Sequence, residues 1–235
     1  MTHIPTDWIR GCTEAHRRLE AATALVADNV ARRPSALEGW SVGHVLNHLA
    51  RNADSHVGVF DAAERGQVGA QYPGGPDERA RLIEQGSNEA AAILAENLRA
   101  ANGRLEAAWA ATHEPVWASG LGLWTSGSAS LAEFVFRRWR EVEIHAIDLG
   151  LADIDGPDWS SITDDYLALE TEMTLRGLRA RLPGKIAVHI IPDETPSYVI
   201  GSDLKPVTVR GPARGILKWL TGRGGEPDWP RLQPW

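Results

Sequence analysis

The sequence predicts an N-terminal four-helix bundle joined to a small C-terminal α+β domain. Three observations carry this reading. Before residue 150, apolar residues recur at three- and four-residue steps in four segments, two of them long, as the buried stripes of helices do. After Gly150 the run Asp153-Ile154-Asp155-Gly156-Pro157-Asp158 breaks the pattern and reads as a linker. Beyond it, short β-branched runs bounded by turn residues replace the long stripes. The expected division is residues 1–152 for the bundle and 153–235 for the α+β domain.

Residues 7–29 place Ile9, Cys12, His16, Leu19, Ala22 and Val26 on one helical face. Arg33-Pro34-Ser35 ends that pattern, because proline disfavours helix in the residue before it. Ser41 is a suitable N-cap for a second helix over residues 42–64. Its core stripe is Val45, Leu46, Leu49, Ala53, Val57 and Phe60, with His44, His48, Asn52 and His56 beside it at four-residue intervals. The cluster Tyr72-Pro73-Gly74-Gly75-Pro76 closes the segment. A third, alanine-rich helical region covers residues 77–112, with a weak point at Gly86-Ser87 that reads as a kink or a short break. A Gly- and Trp-rich connection over 113–128 leads to a helix at 131–149. In the last third a helix is expected at 164–181, strands at 186–191, 197–201 and 207–210, and a helix at 213–220. The tail, 226–235, reads as irregular.

Composition narrows the function classes. The formal net charge of -7 and pI near 5.6 argue against an electrostatic grip on nucleic acid or anionic membrane. No apolar run approaches the roughly 20 residues needed to span a bilayer. The first residues lack the basic-then-apolar order of a signal peptide. Cys12 is the single cysteine, which rules out an intramolecular disulfide and a Cys-rich zinc site. Together these point to the cytoplasm.

The chemistry concentrates in residues 137–149, where Val142, Ile144, Ala146, Ile147 and Leu149 supply apolar surface for a buried helix. Glu141 and His145 are four apart and project from adjacent turns in one direction. Such a pair either stabilises the helix or grips a divalent metal, and a catalytic zinc site needs three protein ligands plus an open position. The histidine-bearing second helix offers a third ligand, with His48 the best placed, as metal ligand or as a satisfied core histidine. His44 lies in the first turns, where it is solvated, and His56 near the exposed end. Glu143 is two residues from His145, faces another side, and is expected in solvent.

The run Trp40-Ser41-Val42-Gly43-His44-Val45-Leu46-Asn47-His48-Leu49-Ala50-Arg51-Asn52-Ala53-Asp54 resembles the metal helix of mycothiol-dependent maleylpyruvate isomerases. These belong to the DinB-like superfamily of metal-binding four-helix bundles. Arg140-Glu141-Val142-Glu143-Ile144-His145-Ala146-Ile147-Asp148-Leu149-Gly150 looks like their second metal motif. Gly211-Pro212-Ala213 and Trp219-Leu220-Thr221-Gly222-Arg223 look like the helix of their small C-terminal α+β domain and its end. The resemblance implies His48, Glu141 and His145 as ligands of Zn2+ or another divalent metal, with His44 outside the set. It implies an active-site arginine from the C-terminal domain, best matched by Arg223, with Arg214 as the alternative. It implies mycothiol as thiol cosubstrate and small-molecule partners. The implied reaction is thiol addition to the cis double bond of maleylpyruvate, rotation, and expulsion to give fumarylpyruvate. A thiol S-transferase on the same scaffold and a non-catalytic metal- or ligand-binding protein are the rival readings.

Overall fold

The structure, a computed structural model, describes residues 4–124, 127–202 and 205–234. It divides into two compact units, Met1–Asp158 and Trp159–Trp235. The sequence division at 152/153 falls earlier in the chain. Arg33 pairs with Asp153 at 2.9 Å, which ties that turn to the first unit.

Four helices form the body of the first unit: α1 (Thr6–Ala22), α3 (Val42–Glu64), α5 (Ala91–Ala111) and α7 (Leu131–Asp148). Helix α3 packs against α5 and α7, and α1 packs against α7 and α5, closing a four-membered ring. Leu46, Leu49 and Ala53 from α3, Leu98 and Leu105 from α5, and Leu131, Phe134 and Val135 from α7 are fully buried in it. Each buried leucine contributes on the order of 2 kcal/mol over its exposed state. Helix α1 lies so close to α7 that a Cβ on Gly11 would stand 2.2 Å from the Trp139 ring, so only glycine fits there.

The first helix ends sooner than its apolar pattern predicts. The Thr23 hydroxyl donates to the Glu20 carbonyl at 2.6 Å, and the chain tightens into a 3-10 turn over Thr23–Leu25. Val26 is then extended, and only a single helical turn, α2 (Asp28–Ala31), follows. The weak point at Gly86-Ser87 is a break between α4 (Gly75–Gly86) and α5. Asn47 of α3 causes it: its Nδ2 donates to the carbonyls of Leu82 at 2.9 Å and Ile83 at 2.7 Å, which the end of a helix leaves unpaired. A Cβ on Gly86 would lie 2.6 Å from the Asn47 side chain, so the close approach requires glycine.

The Gly- and Trp-rich connection contains a short helix, α6 (Glu114–Ser119), and a hairpin, β2 (Leu121–Trp124) and β3 (Gly127–Ser130). Strand β1 (Gly69–Ala70) adds to β2 in parallel. The hairpin escapes pattern reading because its inward position is Gly122, against Val59 and Phe134, while Leu121 and Leu123 are exposed. The expected alternation is inverted.

In the second unit, helices α8 (Asp164–Arg181) and α9 (Ala213–Leu220) pack on each other and on a sheet of order β5-β4-β6. Strand β4 (Val188–Pro192) is central, antiparallel to β5 (Tyr198–Ile200) and parallel to β6 (Val207–Gly211). Val188 and Ile190 alternate inward and join Leu175, Leu178, Val209, Ile216 and Trp219 in one core. The fold is therefore the predicted one, a four-helix bundle with a small α+β domain.

One side chain in the bundle has no apolar equivalent. Arg138 of α7 is fully buried and donates from Nε to His16 Nε2 at 3.1 Å, from Nη1 to Leu49 O and Asn52 Oδ1, and from Nη2 to Asn102 Oδ1 at 2.7 Å. Arg138→Met should lower the unfolding free energy by about 3 kcal/mol or more, because each buried acceptor left without a donor costs about 1–3 kcal/mol. Urea titration measures this, and an unchanged midpoint would contradict the account. His16 supplies a pH dependence. Burial pushes its pKa down to about 4, against the raising effect of Glu106. Below about pH 6.5 the unfolded chain takes up a proton that the folded chain refuses, so stability should fall from there toward pH 4. A urea midpoint that stays flat across that window would exclude this linkage.

Candidate metal centre

The site begins with two capped helices. Ser41 accepts from the His44 backbone N–H at the start of α3, and His44 Nδ1 accepts in return from the Ser41 backbone N–H at 3.2 Å. The His44 ring thus serves the helix start, with Nε2 3.2 Å from Glu84. Ser130 and Glu133 make the corresponding box on α7. With both starts fixed, the facing surfaces of α3 and α7 bring His48, Glu141 and His145 to one point.

His48 Nε2 lies 2.8 Å from Glu141 Oε2, and His145 Nε2 lies 3.5 Å from the same oxygen. The three residues each offer a ligand atom, all within 4.8 Å of one another. Ligands at about 2.0–2.1 Å in a tetrahedral zinc site stand roughly 3.3 Å apart, so the donors suit a metal of that size. The two imidazoles are nearly perpendicular, with ring centroids 4.9 Å apart. His48 is buried while Glu141 and His145 are half-buried.

Electrostatics favour a cation at the centre. Burial works to raise the Glu141 carboxyl, but hydrogen bonds with His145 and His48 outweigh it and hold it well below the usual carboxylate range. Burial pushes His48 down to about 4 although Glu141 pulls the other way, so its ring is neutral and has a lone pair to give. For His145 burial opposes protonation, and the hydrogen bonds to Asp148 and Glu141 prevail and raise its pKa. Asp148 is itself buried and lies 2.8 Å from His145 Nδ1. A carboxylate there holds the proton on Nδ1 and turns Nε2 toward a metal.

Other predicted residues lie elsewhere. His56, expected near an exposed end, is buried edge-on against Phe134, with Nδ1 unpaired. Glu143, expected in solvent, is also buried, because Arg18 reaches it at 2.5 Å and Trp139 Nε1 donates to it at 3.0 Å. In the second unit, Arg214 donates to Ile162 O and Asp164 Oδ1, both at 2.8 Å. Arg223 is half-buried in the turn after α9 and donates to Thr221 O at 2.7 Å. Sequence reasoning missed Asp148, although its spacing of three from His145 was a usable signal. It also assigned no role to Trp40, whose ring meets His48 at 5.4 Å, or to Arg79, whose Nη2 lies 3.5 Å from His48 Nδ1.

Fold and site together define a class: helical-bundle proteins in which facing helices gather two histidines and a carboxylate into a metal-competent cluster. Comparison with known proteins narrows it. The chain belongs to the mycothiol maleylpyruvate isomerase N-terminal domain family, which matches residues 12–150. Among solved structures, the crystal structure of the mycothiol-dependent maleylpyruvate isomerase is similar with a TM-score of 0.84 at 24% identity, over 98% of this chain and 96% of that one. A histidine-to-alanine mutant of that isomerase is similar over the same shares at 24% identity, with a TM-score of 0.83. These two structures share the fold. No curated protein matches the sequence. No helix among the described residues is long and apolar enough to cross a membrane.

Proposed function

We propose that this chain is a metal-dependent isomerase that uses mycothiol to convert maleylpyruvate to fumarylpyruvate. The observation that carries the reading is the convergence of His48, Glu141 and His145 on one point within the fold of that family. These three residues would hold a divalent metal, zinc being suited to two imidazoles and one carboxylate. Held by these residues, such a metal would act as a Lewis acid and lower the pKa of a thiol toward neutrality.

The chain itself must import that thiol. Cys12 is fully buried and burial pushes its pKa up, so it is not a nucleophile at neutral pH. Addition of the external thiolate forms a C–S bond at the cis double bond and moves an electron pair into an enolate. The former double bond is then single and rotates. Collapse of the enolate breaks the C–S bond, returns the thiolate and leaves the trans product. Asp148 keeps the His145 ring oriented throughout, and Trp40 walls the His48 side. Arg223 is assigned to a substrate carboxylate and the developing enolate charge. Supporting it over Arg214 is the role of Arg214 as a tie between α9 and the start of α8.

Elemental analysis should find about one metal per chain, lost in His48→Ala, Glu141→Ala and His145→Ala and kept in His44→Ala and His56→Ala. X-ray absorption with thiol present should add a sulfur neighbour at about 2.3 Å. Full occupancy in His48→Ala would overturn the ligand set. Asp148→Asn should weaken metal affinity about 10–100-fold, measured by competition with a chelator. Arg223→Ala should reduce turnover with an unchanged thermal midpoint, whereas Arg214→Ala should lower the midpoint; the reverse pattern would exchange their roles. A stable thiol adduct in place of the trans isomer would identify an S-transferase.

A further inference from the structure

Arg79 of α4 is a half-buried guanidinium without a carboxylate partner among the described residues. Arg18, Arg33, Arg104 and Arg214 each pair with an acid. Arg79 instead lies over the Trp40 ring at 5.9 Å and reaches His48 Nδ1 at 3.5 Å. It stands at the edge of the metal cluster, held by an aromatic face that leaves its donors free to bind.

His48 shows what is missing. His145 has a carboxylate on its outer nitrogen, but the group facing the outer nitrogen of His48 is the cationic Arg79. When Nε2 serves as a ligand, the neutral ring carries its proton on Nδ1. Nδ1 then stops accepting from Arg79, and two donors face one another without an acceptor. A carboxylate oxygen would satisfy both.

We propose that Arg79 is the receptor for a substrate carboxylate at the metal cluster, and so selects carboxylate-bearing electrophiles. This rests on the isomerase reading for the substrate but not for the binding chemistry. Guanidinium matches carboxylate in a two-pronged geometry that an ammonium cannot reproduce.

The test is calorimetric titration of the metal-loaded protein with maleate, a stable cis-dicarboxylate, alongside steady-state turnover of maleylpyruvate with thiol. Arg79→Met should raise the maleate Kd about ten- to a hundredfold, with metal content unchanged. Arg79→Lys should recover part of that loss. Arg81→Met, on an exposed residue of the same helix, removes the same charge and should leave binding unchanged. In turnover, Arg79→Met should raise KM for maleylpyruvate and leave KM for the thiol in place. Wild-type maleate affinity in Arg79→Met overturns the proposal, as does equal loss of metal, which would make Arg79 a support for His48. Active enzyme whose maleate binding ignores Arg79 rejects this receptor and keeps the isomerase. Arg79-dependent maleate binding without turnover keeps the receptor and rejects the isomerase.

Discussion

The bundle depends on one buried guanidinium. Arg138 reaches α1 through His16, α3 through Leu49 O and Asn52, and α5 through Asn102, while belonging to α7. Among the described residues its charge meets no acid directly. Neutral relays carry it outward: His16 Nδ1 lies 2.8 Å from Glu106, and Asn102 Nδ2 donates to Glu20 at 2.7 Å. A hydrophobic side chain of similar volume would fill the space but would not fix helix rotation, because apolar contacts have no direction. Rotation is what brings His48, Glu141 and His145 to one point. Glu141 follows Arg138 by less than one turn, so a guanidinium locked at four points also sets where Glu141 and His145 project.

Much of the fold was legible because the four long helices carry their stripes openly. Leu46, Leu49 and Ala53 recur at helical steps, and so do Phe134, Val135 and Val142. The break after α4 was marked locally by Gly86-Ser87, whereas the side chain that fixes it, Asn47, arrives from thirty-five residues away in sequence. The hairpin with Gly122 inward and Leu121 and Leu123 outward runs against the rule that identifies a strand.

The site was legible in proportion to its helical spacing. Glu141 and His145 stand out at four residues apart. His48, His44 and His56 are equivalent by spacing, and resemblance to a family was needed to choose among them. The structure explains the difference: His44 closes a capping box, and His56 is packed against Phe134. Arg138 could have been noticed, since it occupies a position on the apolar stripe of α7 where a charge has no place without partners. Arg79 could not, because only the tertiary path of the chain after α3 brings it to His48.

The seclusion of Cys12 has a practical side. It is the chain's sole cysteine, on the inner face of α1 with its sulfur 3.7 Å from His16 Nε2. Reagents that modify thiols can reach it only when α1 leaves the bundle. Its rate of alkylation is thus a built-in clock for that opening, readable by mass spectrometry on unlabelled protein. The same seclusion means that mild oxidants acting on the surrounding thiol pool would starve the reaction of its sulfur nucleophile before they touched the fold, placing redox sensitivity in the cosubstrate and outside the polypeptide.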